Sequence, residues 1–180
     1  MRHPTPDPPA EAGMRDGLAY TLWLPKEDPA GGVVILHGAG SSKESHQDYA
    51  RAARAAGIAA VVFDQRGHGK SGGALDHRAL GDVATMASLL PPGPVALRGS
   101  SMGGWMALCA AAGVGAAAVV AICPAPSEGL LRGLRANAFS FEADAPALEG
   151  LVSSHDLETA VSALEAPILF LHAEGDEQVP

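Results

Sequence analysis

The residues with the clearest chemical potential lie in the pentapeptide at positions 99–103, which is GSSMG. A short apolar run at 95–97 precedes it, and an alanine-rich segment with helical character follows it to about Ala112. Gly-x-Ser-x-Gly between a strand and a helix is the pattern of a nucleophile elbow, a tight turn that exposes the serine. The two glycines leave room for that turn because neither has a side chain. Ser101 is therefore the candidate nucleophile.

The helix predicted after Ser101 would support an acyl-transfer reaction. Its first N–H groups have no partner within the helix, and its dipole is positive at this end. The Met102 N–H would thus point at an oxyanion that develops on an acyl group attached to Ser101. A glycine-rich turn that is capped by Ser100 or Ser101 and carries no chemistry is the alternative interpretation of the same residues.

Length and composition indicate a single soluble domain. The 180 residues are 47% hydrophobic and 18% charged, which is typical of a globular protein with a sizeable core. The net charge of −8 argues against nucleic acid and anionic membranes as partners. No apolar run is long enough to span a bilayer, and the proline-rich first residues lack the apolar core of a signal peptide.

The cysteines and ionisable side chains give no sign of a metal or cofactor. Cys109 and Cys123 lie in neither a CxxC nor a Cys/His ligand spacing, so two buried thiols in a reducing compartment are expected. No cluster of His, Asp or Glu has the spacing of metal ligands. We therefore expect a cytoplasmic protein that needs no metal ion or cofactor.

Apolar runs alternate with helix-like segments along the chain, and this alternation predicts an α/β fold with a doubly wound, mostly parallel sheet. Three polar, glycine-rich stretches follow predicted strands, at residues 37–40, 64–73 and 99–103. Ligands bind such sheets at the carboxyl ends of the strands. The convergence of three motifs on that edge favours a functional site there.

The predicted organisation is a flexible, proline-rich leader over residues 1–15 and a single domain over residues 16–180. Asp16-Gly17 predicts a hairpin turn from an earlier short strand. Ser41 and Glu44 have the spacing of a capping box at the start of a helix that would end at Gly57. The periodicity of residues 76–90 predicts a further helix, and the irregular stretch around 124–154 predicts a short, lid-like insertion.

The chain resembles the α/β-hydrolase superfamily through four motifs that occur in the superfamily's order. HGAG at 37–40 is similar to the oxyanion-hole turn, and FDQRGHGKS at 63–71 is similar to a loop of the monoacylglycerol lipase and serine aminopeptidase-like esterase branch. GSSMG at 99–103 resembles the elbow. LHAEGDEQVP at 171–180 resembles the stretch that carries the triad acid, although Ala173 stands where glycine is usual.

The resemblance implies roles for individual residues. Ser101 is the nucleophile that becomes acylated. The backbone N–H groups of Ala39 and Met102 form the oxyanion hole. Asp176 is the acid that holds the catalytic histidine in the right tautomer and stabilises its charged form. A serine hydroxyl needs such a histidine, because it is a poor nucleophile without a base to take its proton.

The catalytic histidine follows the acid in this superfamily, and residues 177–180 contain none. The expectation is therefore a chain that is truncated at its C-terminus, lacks the last strand and helix of the fold, and has its catalytic histidine beyond residue 180. Among the histidines present, His37 and His68 are expected to make structural hydrogen bonds, and His46 is the alternative base. The 180-residue chain alone should be weakly active or inactive, and prone to aggregate through an open strand edge at 168–171.

The implied function is hydrolysis of carboxylic esters, or of related acyl bonds, in small molecules. The short insertion leaves no room for a large cap domain and suggests an open site for modest-sized esters. An acyltransferase that uses the same serine is one alternative, and a non-catalytic ligand-binding relative that lacks the base is another. Glu128 or Asp144 is the alternative to Asp176 as the acid.

Overall fold

Seven strands form one mostly parallel sheet in the computed structural model, which describes residues 8–174. In chain order the strands are β1 (Glu11–Arg15), β2 (Leu18–Trp23), β3 (Gly32–Leu36), β4 (Ala59–Phe63), β5 (Val95–Ser100), β6 (Ala118–Ile122) and β7 (Ile168–Leu171). Their order across the sheet is β1-β2-β4-β3-β5-β6-β7. β2 is antiparallel to both of its neighbours, and all the other neighbouring pairs are parallel. The predicted doubly wound sheet is confirmed.

The helices described alongside this sheet are α1 (Gln47–Ala55), α2 (Ala79–Ala87), α3 (Met102–Val114), α4 (Ser127–Arg135), α5 (Ala145–Ser153) and α6 (Leu157–Ser162). α1 is followed by Gly57 at φ +79°, the left-handed stop that the sequence predicts. The helix predicted over 76–90 is confined to α2, because the Asp76 carboxylate accepts the Arg78 N–H (2.9 Å) in a turn before the helix. None of the helices in residues 8–174 is long and apolar enough to cross a lipid bilayer.

Alternate residues of the central strands face two separate layers of the core. Val34 and Leu36 of β3 pack with side chains of α2 and α3, whereas Val33 and Ile35 pack with those of α1. β3 and β4 are buried on both faces, which is why their sequences are continuous apolar runs rather than alternating ones. Helices on both sides therefore hold the central strands, whose carboxyl ends carry the three motifs.

The leader predicted over residues 1–15 is wrong at its C-terminal boundary, because residues 11–15 form β1. This strand pairs with β2 in the register Glu11↔Leu22 to Arg15↔Leu18, through the Asp16-Gly17 turn that the sequence predicts. Four of the five β1 side chains are exposed. The strand is therefore held mainly by backbone hydrogen bonds to β2. Because these bonds do not depend on the side chains, the sequence of β1 shows no alternation of apolar and polar residues.

The capping box predicted at Ser41 and Glu44 is also wrong. A 3₁₀ turn at Lys43–His46 precedes α1, and its N-terminus has no side-chain cap of its own. The Lys43 N–H instead donates to Oδ1 of Asp64 at the end of β4 (2.7 Å). A tertiary acceptor thus replaces the local one, while Glu44 pairs with the Lys43 ammonium (2.9 Å).

Two apolar regions of the sheet remain open to solvent in the described part of the chain. β7 exposes Leu169, Phe170 and Leu171 by 53%, 49% and 46%. A groove of about 500 Å³ runs beside α1, with a floor formed by residues of β5 and β6. Exposed apolar strands favour association between chains. The aggregation expected of this chain stays a prediction, and these two exposed regions are the structural reason for it.

Candidate active site

Ser101 joins β5 to α3 in a conformation that few non-glycine residues adopt, with φ +51° and ψ −120°. Backbone hydrogen bonds from the neighbouring chain hold it there. The Ser101 N–H donates to the Ile122 carbonyl (2.9 Å), and the Ser101 carbonyl accepts from the Ala125 N–H (3.1 Å). A strained residue that several hydrogen bonds from its surroundings hold in place is characteristic of functional sites. The structure thus has the tight turn that the sequence predicts for a nucleophile elbow.

The elbow can close only because both of its flanking residues are glycines. A Cβ at Gly99 would overlap the Gly103 carbonyl and lie 2.7 Å from the Gly104 nitrogen. A Cβ at Gly103 would overlap the His37 carbonyl, at the end of β3. These contacts are with backbone atoms, which cannot rotate away as a side chain can. Glycine is therefore required by close approach at both positions.

The turn at residues 37–40 lies directly opposite the elbow. A Cβ at Gly38 would be 3.4 Å from the Cβ of Ser101, so the two segments are in van der Waals range. Within residues 8–174 the N–H groups of Ala39 and Met102 have no hydrogen-bond acceptor, and the Ser101 hydroxyl has no hydrogen-bond partner. Two free donors and one free hydroxyl are thus brought to the same edge of the sheet, as acyl transfer requires.

His37 supports this turn from below and is not free to act as a base. It is wholly buried. Its Nδ1 donates to the Gly38 carbonyl (2.8 Å), and its Nε2 accepts from the Gln65 N–H (3.0 Å). Burial lowers the pKa of His37 to about 4, because the charged imidazolium would lose its hydration. The structural hydrogen bond expected of His37 is therefore present, made by a neutral ring.

We expect this buried ring to make the stability of the protein depend on pH. The unfolded chain binds a proton at His37 near pH 6.5 and the folded chain only near pH 4, so the free energy of unfolding falls as the pH decreases through that range. The loss is about 3 kcal/mol. Urea unfolding at pH 7.5 and pH 5 should show the slope.

His37→Asn should have a shallower slope, and His77→Asn, at an exposed histidine, should match the wild type. Burial also lowers the pKa values of His46 and His68, so part of the slope persists in every variant. Equal slopes in His37→Asn and the wild type would contradict the assignment.

His68 holds the other end of the turn. Its Nε2 accepts from the Gly40 N–H (3.2 Å), and its Nδ1 donates to the Arg66 carbonyl (2.9 Å). Burial lowers the pKa of His68, which favours the neutral ring that this acceptor role requires. Like His37, it has both ring nitrogens engaged and makes the structural hydrogen bonds expected of it.

The remaining described histidines lie away from Ser101. His46, the alternative base, accepts from Nη1 of Arg98 (2.8 Å), a residue whose guanidinium also packs over the ring of Tyr49 in α1. His155 contacts the Leu151 carbonyl (2.9 Å). His77 and His172 are exposed. No hydrogen bond among residues 8–174 joins a histidine to Ser101, and His3 lies outside the described residues.

The structure describes two of the three candidate acids, Glu128 and Asp144. Asp176 lies outside the described residues, so its role stays a prediction. Asp144 is exposed and accepts the Ala147 N–H (3.2 Å) as the cap of α5. Glu128 is exposed in the first turn of α4. Neither alternative acid contacts a described histidine.

Buried ion pairs anchor the loop at 64–73, and sequence patterns did not identify them. The fully buried Asp64 carboxylate accepts from the Lys43 ammonium (2.7 Å) and from the Lys70 N–H (2.9 Å). Arg66 donates two hydrogen bonds of 2.8 Å to Asp82 of α2. Partners 16 and 21 positions apart have no local signature. These pairs hold the loop that presents His68, and breaking one would leave a buried charge uncompensated.

An apolar cavity lies beside Met102, between α3 and the inserted helices α4 and α5. It is lined by Leu75, Ala79, Met102, Trp105, Met106, Leu130, Leu134, Phe139, Phe141, Leu148 and Val152. Its free volume of about 10 Å³ holds about one water molecule. Side chains of the insertion therefore fill this space almost completely. Whether the insertion acts as a lid stays a prediction.

The sheet order and the strained serine turn between β5 and α3 define an α/β-hydrolase fold. The chain belongs to the alpha/beta hydrolase family, whose sequence profile matches residues 33–177. It is 33% identical over 96 residues to a monoacylglycerol lipase of Mycolicibacterium smegmatis, a match that covers 48% of this chain and 34% of the lipase. It is 32% identical over 100 residues to an uncharacterised abhydrolase domain-containing protein of Dictyostelium discoideum, covering 52% and 11% of the two chains. The chain thus spans about a third or less of these relatives.

Solved structures agree on the fold. Alpha/beta hydrolase domain-containing protein 10 from mouse has a TM-score of 0.73 at 24% identity, with 94% of this chain and 79% of that chain covered. Est1E of Butyrivibrio proteoclasticus with ferulic acid bound has a TM-score of 0.72 at 20% identity, with 95% and 81% covered. The resemblance to the superfamily and to its monoacylglycerol lipase branch is confirmed.

Proposed function

We propose that this protein is a serine hydrolase that cleaves carboxylic esters of small molecules through an acyl-enzyme on Ser101. One observation carries the proposal: Ser101 stands in a strained conformation of positive φ at the N-terminus of α3, opposite the turn at residues 37–40. A strained serine beside two N–H groups without acceptors is an arrangement suited to acyl transfer. The similarity to a monoacylglycerol lipase of M. smegmatis, at 33% identity over 96 residues, supports esters rather than other acyl compounds as the proposed substrates.

In the proposed mechanism, Oγ of Ser101 attacks the carbonyl carbon of the ester and gives its proton to a histidine base. The Ala39 and Met102 N–H groups hold the oxyanion of the tetrahedral intermediate. The carbon–oxygen bond to the alcohol then breaks, and the histidine returns the proton to the departing alcohol. Water repeats the sequence on the acyl-enzyme and releases the acid. No metal ion or cofactor enters any step.

We propose Asp176 as the acid that orients the base, and a base that lies outside residues 8–174. His37 and His68 use both of their ring nitrogens, and His46 is bound to Arg98. Sequencing the coding DNA past codon 180 tests this proposal. A histidine that follows another predicted strand supports the assignment, whereas a stop codon would favour the non-catalytic alternative.

Cytoplasmic location stays a proposal, which the free, half-buried Cys109 and Cys123 support.

The function is tested by hydrolysis of p-nitrophenyl esters with acyl chains of two to eight carbons, together with labelling by a fluorophosphonate probe. We expect the complete encoded protein, including any residues encoded after Pro180, to hydrolyse the short esters faster than the long ones, and the probe to label the peptide that contains Ser101. Transfer of the acyl group to an added alcohol in preference to water would favour an acyltransferase. Binding of esters with neither hydrolysis nor labelling would favour a ligand-binding protein.

A further inference from the structure

The segment at residues 139–144, between α4 and α5, is hydrogen-bonded to the stretch of chain that follows β4. The Glu142 N–H donates to the Gly67 carbonyl (3.2 Å), and the Glu142 carbonyl accepts from the Leu75 N–H (2.9 Å). The Asp144 N–H donates to the Leu75 carbonyl (3.0 Å). The segment is thus attached by its backbone to the same loop that carries His68.

The side chains of this segment reach the oxyanion turn itself. The Phe141 ring stacks on the His68 ring, with centroids 4.3 Å apart and planes at 28°. Phe139 stacks on Phe141, with centroids 5.1 Å apart, and makes no ring contact with His68 among the described residues. Gly40 lies against the segment as well, because a Cβ there would be 2.7 Å from Oγ of Ser140.

His68 can perform its role in only one ring orientation. Nδ1 faces the Arg66 carbonyl, which only accepts, and Nε2 faces the Gly40 N–H, which only donates. A rotated ring, or the other tautomer, would lose both hydrogen bonds. Two aromatic neighbours restrain the ring: Phe141 is stacked on it, and His37 contacts it edge-on, with centroids 4.9 Å apart.

We propose that Phe141 is a positioning residue for the oxyanion hole: by fixing the plane of the His68 ring, it holds the Gly40 end of the turn and thereby aims the adjacent Ala39 N–H at the substrate. The catalytic part of this inference rests on the proposed function. Phe141 also lines the apolar cavity beside Met102, so the insertion is in direct contact with the histidine that holds the turn at residues 37–40.

The test compares four variants of the complete encoded protein, including any residues encoded after Pro180, with a small ester, p-nitrophenyl acetate. Phe141→Ala and Phe141→Leu remove the stacked ring, and the leucine keeps most of the apolar volume in case the alanine variant folds poorly. Phe141→Tyr keeps the ring. Phe139→Ala is the matched control, because it removes an identical ring one step away from His68.

We expect kcat to fall about tenfold or more in Phe141→Ala and Phe141→Leu, with KM little changed. The Ala39 N–H is expected to stabilise the transition state more than the bound ester, so displacing it should slow the reaction without weakening substrate binding. Phe141→Tyr should restore kcat, and Phe139→Ala should keep kcat within about threefold of the wild type. Equal kcat losses in Phe139→Ala and Phe141→Leu would overturn the proposal, because they would show a general effect of loosened packing.

A second readout does not depend on activity. The ¹⁵N shifts of the His68 ring should report one tautomer, with the proton on Nδ1, in the wild type, Phe139→Ala and Phe141→Tyr. Phe141→Leu should report a mixture of tautomers. If the wild type hydrolyses no ester while the tautomers respond as expected, the proposed function fails and the positioning contact stands. If the His68 tautomer is the same in all variants, the positioning inference fails whether or not the protein is an esterase.

Discussion

Replacing Ser101 with alanine is expected to reduce kcat/KM for p-nitrophenyl esters by about 10³-fold or more. The alanine keeps the backbone but removes the hydroxyl that we propose forms the acyl-enzyme, so the remaining rate would come from binding and from the proposed oxyanion donors alone. Labelling by the fluorophosphonate probe should be lost as well. The rate is measured in the form of the protein that hydrolyses the esters best.

Ser100→Ala is the control for this experiment. Ser100 is the last residue of β5, directly before the candidate nucleophile, and the substitution removes the same hydroxyl from an adjacent position. It should leave kcat/KM within about threefold of the wild type. An active, labelled Ser101→Ala protein would contradict the mechanism, and a loss in Ser100→Ala alone would move the nucleophile by one residue.

Replacing Gly103 with alanine is expected to lower the free energy of unfolding by about 3 kcal/mol and to abolish hydrolysis. The added methyl would overlap the His37 carbonyl and lie 2.5 Å from the Leu36 oxygen, which are both backbone atoms of the sheet edge. Relief requires α3 to move away from β3, and that movement would carry Ser101 away from the turn at residues 37–40. Urea unfolding followed by circular dichroism measures the loss of stability.

Gly113→Ala in the same helix is the matched control, and we expect the opposite sign. Gly113 is exposed near the end of α3, and a Cβ there meets nothing within 4 Å. Alanine should therefore stabilise the protein by about 0.5–1 kcal/mol, because it restricts the unfolded chain and favours the helix. Equal effects of the two substitutions would show that crowding at the elbow does not govern the requirement for glycine.

Much of the fold could be predicted because its signals are local. Strands of a parallel sheet tend to be continuous apolar runs, so β3, β4, β6 and β7 could each be predicted from their own residues. The elbow was predictable from two glycines and a serine at fixed spacing, since the steric demand of a tight turn falls on those positions themselves. An apolar pattern could not predict β1, because its side chains are exposed and its position depends on backbone pairing with β2.

Ser101, Ala39 and Met102 could be proposed from the sequence because each lies at or beside a glycine-rich turn that ends a strand. Only the tertiary structure decided what supports them. Asp64 meets Lys43 across 21 positions, and Phe141 meets His68 across an inserted pair of helices. Phe141 makes its contact from the segment between α4 and α5. Contacts of this kind depend on how separate segments pack at the sheet edge, and a local pattern of residues does not contain that information. The sequence by itself therefore determined the strands and the candidate nucleophile, whereas the packing of the edge decided the neutral histidines, the ion pairs and the aromatic stack around it.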